Sequence, residues 1–258
     1  MAEQILGLSV GLGIGAFLGV LLTTAGLVWY KKSRPYRSIL EGIANNTEEC
    51  LIFIRNLIVE NVDAATTPLR ECLPRFGITE CAPNVRDVWA DGDGVALANV
   101  LNVLGQAGKM RNIRIIRTSE DHGDWIGHVI IIGGLSQQSC DFYTSMQPFF
   151  FRMTSTDIYD VVEDCFIPRE PGFDYGIIIK ARNLKRAGKP GVAFLLGGLG
   201  PRGTAAVGYY LREHVDELGK EFGSNCFGVV VRASIAAGVE SVERLTHYDR
   251  VEKELYEW

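Results

Sequence analysis

The chain has 258 residues, of which 47% are hydrophobic and 22% are charged, and its formal net charge is −5. This composition is typical of a globular protein and excludes a disordered, collagen-like or disulfide-dense chain. Because residues 1–37 carry +3, residues 38–258 must carry −8, and a body this acidic repels a phosphate backbone, so we expect no nucleic-acid partner.

A long uncharged segment stands near the N-terminus. Ile5 to Tyr30 contains no charged residue, and as a helix it is long enough to cross a hydrocarbon layer of about 30 Å. Trp29 and Tyr30 stand where interfacial aromatic residues are found, and Lys31-Lys32 follow at once. The sequence therefore predicts a single-pass membrane helix. The basic residues after it favour a cytoplasmic C-terminal domain, with the N-terminus outside.

Two other interpretations of this segment remain open. A secretory signal peptide usually begins with basic residues, which residues 1–4 lack, although the small residues Thr23-Thr24-Ala25 would permit cleavage. A buried globular helix is the second alternative, but a run of this length is too long for most such helices. We therefore expect the lipid bilayer as a partner.

Glycines recur every four residues in this predicted membrane helix. This spacing places them on one helix face, where they allow two helix backbones to approach closely in lipid. We expect self-association into a homo-oligomer through this stripe, although a membrane helix can also simply tolerate glycine. The stripe consists of Gly7, Gly11, Gly15 and Gly19.

The sequence predicts three parts: an anchor over residues 1–30, a basic juxtamembrane segment and linker over 31–50, and a cytoplasmic α/β domain over 51–258. Apolar periodicity indicates helices over Tyr36–Ala44, Gly94–Gly108 and Thr204–Phe222. Continuous apolar strands alternating with helices predict a Rossmann-like, largely parallel sheet with helices on both faces. The predicted strands are Leu51–Ile54, Asn112–Thr118, His128–Ile132, Tyr175–Lys180, Val192–Leu196 and Phe227–Val231.

Two of these strands end in glycine pairs. In a parallel sheet both following loops lie at the carboxyl edge, where such folds bind ligands. Glycine backbone, a helix N-terminus and an arginine are suited to an anion, although the glycines can also serve only to make tight turns. The candidate ligand-binding residues are Gly133, Gly134 and Ser136 in the first loop, and Gly197, Gly198, Gly200, Arg202, Gly203 and Thr204 in the second.

The second loop, from Gly197 to Thr204, resembles the glycine-rich loop of the lysine-decarboxylase-like (LOG) proteins, within the SLOG group of Rossmann-type nucleotide-binding domains. The resemblance covers about the last third of the chain and implies a nucleotide-like ligand. Pro201 and Arg202 are inserted here relative to the family's pattern. Where the enzymes have a glutamate that takes part in cleaving an N-glycosidic bond, this chain has Ala205-Ala206-Val207. The departure favours binding without cleavage.

Residues able to supply other chemistry are few. Glu120, Asp121 and Asp174 are the candidates for an acid or base near the second loop, and Cys140 is a candidate nucleophile if His128 lies near it. Asp91 and Asp93 lack the remaining ligands of a calcium loop and predict a turn before a helix. None of the six cysteines stands in a C-x-x-C pair or has a His partner at zinc spacing, so we expect no metal site.

Together these features predict a membrane-anchored cytoplasmic domain that binds a nucleotide-like or other small anionic ligand and acts as an oligomeric sensor or signalling protein. A nucleotide or nucleoside hydrolase or transferase is one alternative. A structural membrane oligomer whose loops bind nothing is the other. The sequence identifies neither a ligand nor a catalytic residue.

Overall fold

The computed structural model describes residues 19–20, 22–24, 34–54, 57–58, 87–88, 90–117, 125, 127–134, 136–147, 149–183 and 191–250. Most of the predicted membrane segment, including Gly7, Gly11 and Gly15, lies outside these residues. Its described part, residues 19–20 and 22–24, is helical. Among the described residues no helix is both long and apolar enough to cross a membrane.

The helices and strands follow one another in an α/β order. Residues 34–40 form α1, and a 3₁₀ turn follows at Glu41–Ala44. The longer helices are α2 (Asp91–Gln106), α3 (Gln137–Ser145) and α4 (Pro201–Glu221). The strands are β1 (Cys50–Ile54), β2 (Leu57–Ile58), β3 (Asp87–Val88), β4 (Ile113–Arg117), β5 (His128–Ile132), β6 (Met146–Gln147), β7 (Phe151–Met153), β8 (Ile158–Asp160), β9 (Cys165–Phe166), β10 (Phe173–Asn183), β11 (Gly191–Gly198), β12 (Cys226–Ser234) and β13 (Glu243–Arg250).

The main sheet has the strand order β13-β12-β10-β11-β5-β1-β4, with β6 paired to the end of β10. The prediction of a largely parallel sheet is confirmed for the core strands β11, β5, β1 and β4. The strands β10, β12 and β13 are antiparallel, which the sequence analysis did not predict. Only seven residues, 184–190, join β10 to β11, and a parallel crossover needs a dozen or more.

Predicted apolar stripes form the core between the helices and the sheet. The α4 stripe is buried throughout, and its members are Val207, Leu211, Val215, Leu218 and Phe222. Helix α4 packs beside α2, which buries Leu97, Val100 and Leu104 in the same cluster. Both helices therefore cover one face of the sheet, together with α1.

The opposite face of the sheet is covered differently. Helix α3 supplies Phe142 there, while a small antiparallel sheet of β7, β8 and β9 supplies most of the remaining cover. Phe150 and Phe151 are buried in this layer, so they belong to the core. Among the described residues, helices therefore lie on both faces of the main sheet. On the second face α3 is the single helix, and the small sheet lies beside it.

The segment predicted as a juxtamembrane linker contributes to the same core. Tyr36, Ile39, Leu40 and Ile43 are all buried among the side chains of α2, α4 and the sheet. Burying large apolar side chains stabilises a fold by about 1.5–3 kcal/mol each, so this segment is held firmly. The α/β domain of the structure therefore includes residues 36–43.

Candidate functional site

The two predicted glycine loops lie side by side at the carboxyl edge of the parallel strands. Ile132 at the end of β5 pairs with Leu196 in β11, and the Gly133 N–H donates to the Leu196 carbonyl at 2.9 Å. Gly133 has a backbone φ of 109°, which residues with a side chain rarely adopt. The expectation that both loops share one edge is therefore confirmed.

The glycines allow these loops to pack against each other without a gap. A Cβ on Gly197 would lie 2.8 Å from the Gly134 Cα, and a Cβ on Gly134 would lie 2.4 Å from the Met153 Cε. Met153, at the end of β7, thus covers both glycine pairs from the small sheet. The space beside Gly134 and Gly197 is filled by protein atoms.

The backbone donors of the second loop converge on a carboxylate of the chain itself. The Gly200 N–H donates to the Asp174 Oδ1 at 3.1 Å, and the Gly203 N–H donates to its Oδ2 at 2.8 Å. The Tyr175 N–H also donates to Oδ1, at 2.8 Å. Three N–H groups, two of them at the positive end of the α4 dipole, therefore hold one negative charge.

The other predicted residues of the two loops have partners within the protein. Arg202 is exposed, and its Nη1 donates to the Ile235 carbonyl. Thr204 is buried and its hydroxyl lies 3.4 Å from the Gly200 carbonyl. Ser136 caps α3 by accepting the Ser139 N–H at 3.1 Å. The Gly198 backbone lies so close to the start of α4 that a Cβ there would be 2.0 Å from the Thr204 nitrogen.

The candidate nucleophile Cys140 and its candidate partner His128 do not meet in the fold. His128 begins β5 and Cys140 follows its other end, so the two lie at opposite edges of the sheet. Asp174 does lie beside the second loop, whereas Glu120 and Asp121 fall outside the described residues. Within the described part of the chain, no group of three or more His, Cys, Asp or Glu residues is placed to hold a metal ion.

A buried charged cluster occupies the opposite edge, where the parallel strands begin, and sequence reasoning missed it. The Glu41 carboxylate lies 2.6 Å from the Lys180 Nζ and 2.8 Å from the Arg182 Nη1. The two cations also donate to the carbonyls of Gly223 and Ser224, just after α4. Burial lowers the pKa of Lys180, and the Glu41 carboxylate opposes that shift.

His128 lies near this cluster and is held in one neutral form. Its Nδ1 accepts the Val192 N–H at 3.0 Å, so the ring proton must be on Nε2, 2.8 Å from the Glu48 carboxylate. Gly42 permits this approach, because a Cβ there would be 2.4 Å from the His128 ring. Lys109 is also buried here, and its Nζ donates to the Asn45 carbonyl at 2.6 Å.

An open cavity of about 420 Å³ adjoins the charged cluster. Its walls include Arg37, Glu41, Ala44, Asn45 and Asn46. A sequence signal for this region existed, since Lys180 and Arg182 directly follow the apolar run Ile177–Ile179 in the same strand. The sequence did not show that their partner is Glu41, which lies about 140 residues earlier in the chain.

The chain was compared with known proteins at the level of families and of individual sequences. No protein-family model and no curated protein matches it. Support for a function therefore comes from the residues and contacts of the chain itself.

Proposed function

We propose that the chain is a membrane-anchored protein whose Rossmann-like, SLOG-type domain faces the cytoplasm, binds a small anionic ligand at the carboxyl edge of its sheet, and acts as an oligomeric sensor or signalling protein. The uncharged run Ile5–Tyr30 and the basic residues after it support the anchor. In the described part of this run, residues 19–20 and 22–24, the hydroxyls of Thr23 and Thr24 each donate to a helix carbonyl at 2.7 Å. Such internal bonds suit a helix in lipid, because the hydrocarbon layer holds no water to accept them.

The observation that carries the ligand proposal is the carboxylate of Asp174. The N–H groups of Gly200 and Gly203 converge on it, so the loop has the geometry to hold one anion. A phosphate or carboxylate ligand would take these donors in place of the Asp174 side chain. Such an exchange would release the start of β10 and so link ligand binding to a change in the fold, as a sensor requires.

The residues after the loop favour binding over cleavage. Ala205 and Ala206 stand where the similar hydrolases carry a catalytic glutamate, and both are buried. Arg202 is exposed at the same helix start and can turn from the Ile235 carbonyl toward a bound anion. We therefore propose a binding domain in preference to a hydrolase or transferase.

A thermal-shift series on the detergent-solubilised full chain tests this proposal, with inorganic phosphate and a panel of nucleotides as probes. We expect Asp174→Ala to bind the anion more tightly than the wild type, because the competing carboxylate is removed. Arg202→Ala should weaken binding by about 1.5–3 kcal/mol, the scale of a hydrogen bond to a charged group. Asp174→Asn is the matched control, since it keeps the size of the side chain, removes the charge and leaves one acceptor oxygen for the two loop N–H groups in place of two.

A structural role for this edge is the second candidate. It is favoured by the Met153 side chain, which fills the space beside the glycines, and by Asp174, which already occupies the loop donors. If neither the wild type nor Asp174→Ala is stabilised by any anion, the ligand proposal fails. The domain would then serve mainly to make subunit contacts in a membrane oligomer.

A further inference from the structure

We propose that the edge of the sheet opposite the glycine loops lies against an anionic bilayer surface, with Met110 and Arg111 as its contact point. This proposal rests on the membrane anchor proposed above. The surface concerned, called here the basal surface, consists of Arg34 and Arg37 on α1 and of Met110 and Arg111 in the loop between α2 and β4.

The first step is the short distance between the anchor and α1. Four residue steps separate Tyr30, where the predicted membrane helix ends, from Arg34, so the chain can span at most about 14 Å between them. Helix α1 begins against the last turns of α4, where the Ser38 hydroxyl contacts the Gly219 carbonyl at 3.3 Å. The C-terminal end of α4 must therefore be the part of the domain close to the bilayer.

The second step is that the α2–β4 loop lies at the same edge. The Arg37 Nε donates to the Ala107 carbonyl at 3.3 Å, which joins α1 to the end of α2. Strands β1 and β5 also begin at this edge, while the glycine loops lie at their far ends. The basal surface therefore faces the bilayer, and the candidate ligand site faces away from it.

The loop presents an apolar residue and a cation on a fixed backbone. Met110 is 75% exposed, and Arg111 beside it is also exposed. The Asn46 Oδ1 accepts the N–H groups of Met110 and Arg111 at 2.8 and 3.1 Å, and its Nδ2 donates to the Gly108 carbonyl at 2.7 Å. These bonds fix the loop backbone in a conformation that leaves most of the apolar Met110 side chain exposed.

A bilayer surface with anionic lipids accounts for both residues. The apolar Met110 side chain fits the boundary between headgroups and acyl chains, and the arginines fit anionic headgroups. Each basic residue near such a surface strengthens the contact by about five-fold. Residues 38–258 carry a net charge of −8, which an anionic surface repels, so the arginines of the basal surface are the groups that the headgroups attract.

Site-specific photocrosslinking tests this orientation on the full chain in nanodiscs of phosphatidylcholine, with or without phosphatidylserine. Met110→p-benzoyl-phenylalanine carries the probe at the basal surface. Ile235→p-benzoyl-phenylalanine is the matched control, because Ile235 is an exposed apolar residue at the opposite edge. We expect several-fold more lipid adducts from position 110 than from position 235, with a further increase when phosphatidylserine is present.

A second substitution, Arg111→Glu, is added to the chain with the probe at position 110. In nanodiscs with phosphatidylserine it should lower the adduct yield to that seen with phosphatidylcholine alone, and Arg111→Gln should lower the yield by less. Equal numbers of lipid adducts from positions 110 and 235 would overturn the orientation while leaving the anchor intact. The same conclusion would follow if the adduct yield at position 110 changed neither with phosphatidylserine nor with substitution of Arg111. A chain that does not co-elute with the nanodiscs would overturn the anchor, and this proposal with it.

Discussion

The two edges of the central sheet are held together by different interactions. At the carboxyl edge, backbone packs directly on backbone: a Cβ on Gly92 would lie 1.8 Å from the Pro201 carbonyl oxygen, where α2 and α4 begin. At the opposite edge, charged side chains fill the space, with Glu41 between Lys180 and Arg182. Substitutions that add volume should therefore destabilise the first edge, and substitutions that remove a charge should destabilise the second.

The strongest test removes the carboxylate of the charged cluster. Glu41→Ala leaves Lys180 and Arg182 buried without their counter-ion, and we expect a loss of about 3–5 kcal/mol in the free energy of unfolding. Urea denaturation followed by circular dichroism measures it. Glu217→Ala is the matched control, because that carboxylate is largely exposed and its removal should change the free energy of unfolding far less. Similar losses from both variants would mean that the buried cluster does not stabilise this edge.

The carboxyl edge should respond to added volume. Gly92→Ala pushes α2 from α4 and should cost about 1–3 kcal/mol, the usual range for overpacking. On the same helix, Gly105 has open space around its Cα, so Gly105→Ala should stabilise the protein by about 0.5–1 kcal/mol through helix propensity. Thermal unfolding of both variants gives the comparison. A Gly92→Ala variant as stable as the wild type would contradict the close backbone packing.

The buried thiol at the start of β1 gives a smaller, pH-dependent effect. Burial raises the pKa of Cys50 to about 12, while Lys109 opposes the shift. The pKa of an unfolded cysteine is about 8.5, so the contribution of the buried thiol to stability is complete below that pH and is lost as the pH rises toward 12. Between pH 8 and 10 we therefore expect the wild type to lose about 1–2 kcal/mol more than Cys50→Ala, measured by urea midpoints.

Alkylation checks the same difference in thiol environment without a mutation. At pH 8 we expect iodoacetamide to modify the exposed Cys140, near the carboxyl edge, well before the buried Cys50, at the opposite edge. Peptide mass spectrometry of the native protein resolves the two sites. Equal rates at Cys50 and Cys140 would show that the start of β1 opens readily to solvent.

Local sequence patterns predicted most of the elements. The apolar runs at His128–Ile132 and Val192–Leu196 are strands, and the stripe from Val207 to Phe222 is the buried face of α4. These predictions succeeded because strand and helix periodicity depend on neighbouring residues. One element that was missed is β13, which is mostly polar and for which the sequence analysis predicted no strand.

Local sequence patterns could not predict which polar groups contact each other in the fold. Asp174 lies 26 residues before Gly200, and nothing near the loop indicates that its N–H groups already hold a carboxylate. Cys140 and His128 are only twelve residues apart in the sequence, yet a whole strand separates them in the fold. Side-chain contacts of this kind depend on which ends of which strands meet, and that is a property of the sheet as a whole.

The sequence by itself determined the alternation of strands and helices, the acidic body and the uncharged N-terminal run, because each depends on composition or on short-range periodicity. The short connection between β10 and β11 also contained the reason for the antiparallel half of the sheet. Only the tertiary structure decided that Asp174 occupies the loop donors and that Glu41 forms ion pairs with both Lys180 and Arg182. Those contacts join residues 26 to 141 positions apart, and they form because burial leaves each charged or polar group with no water to replace its partner.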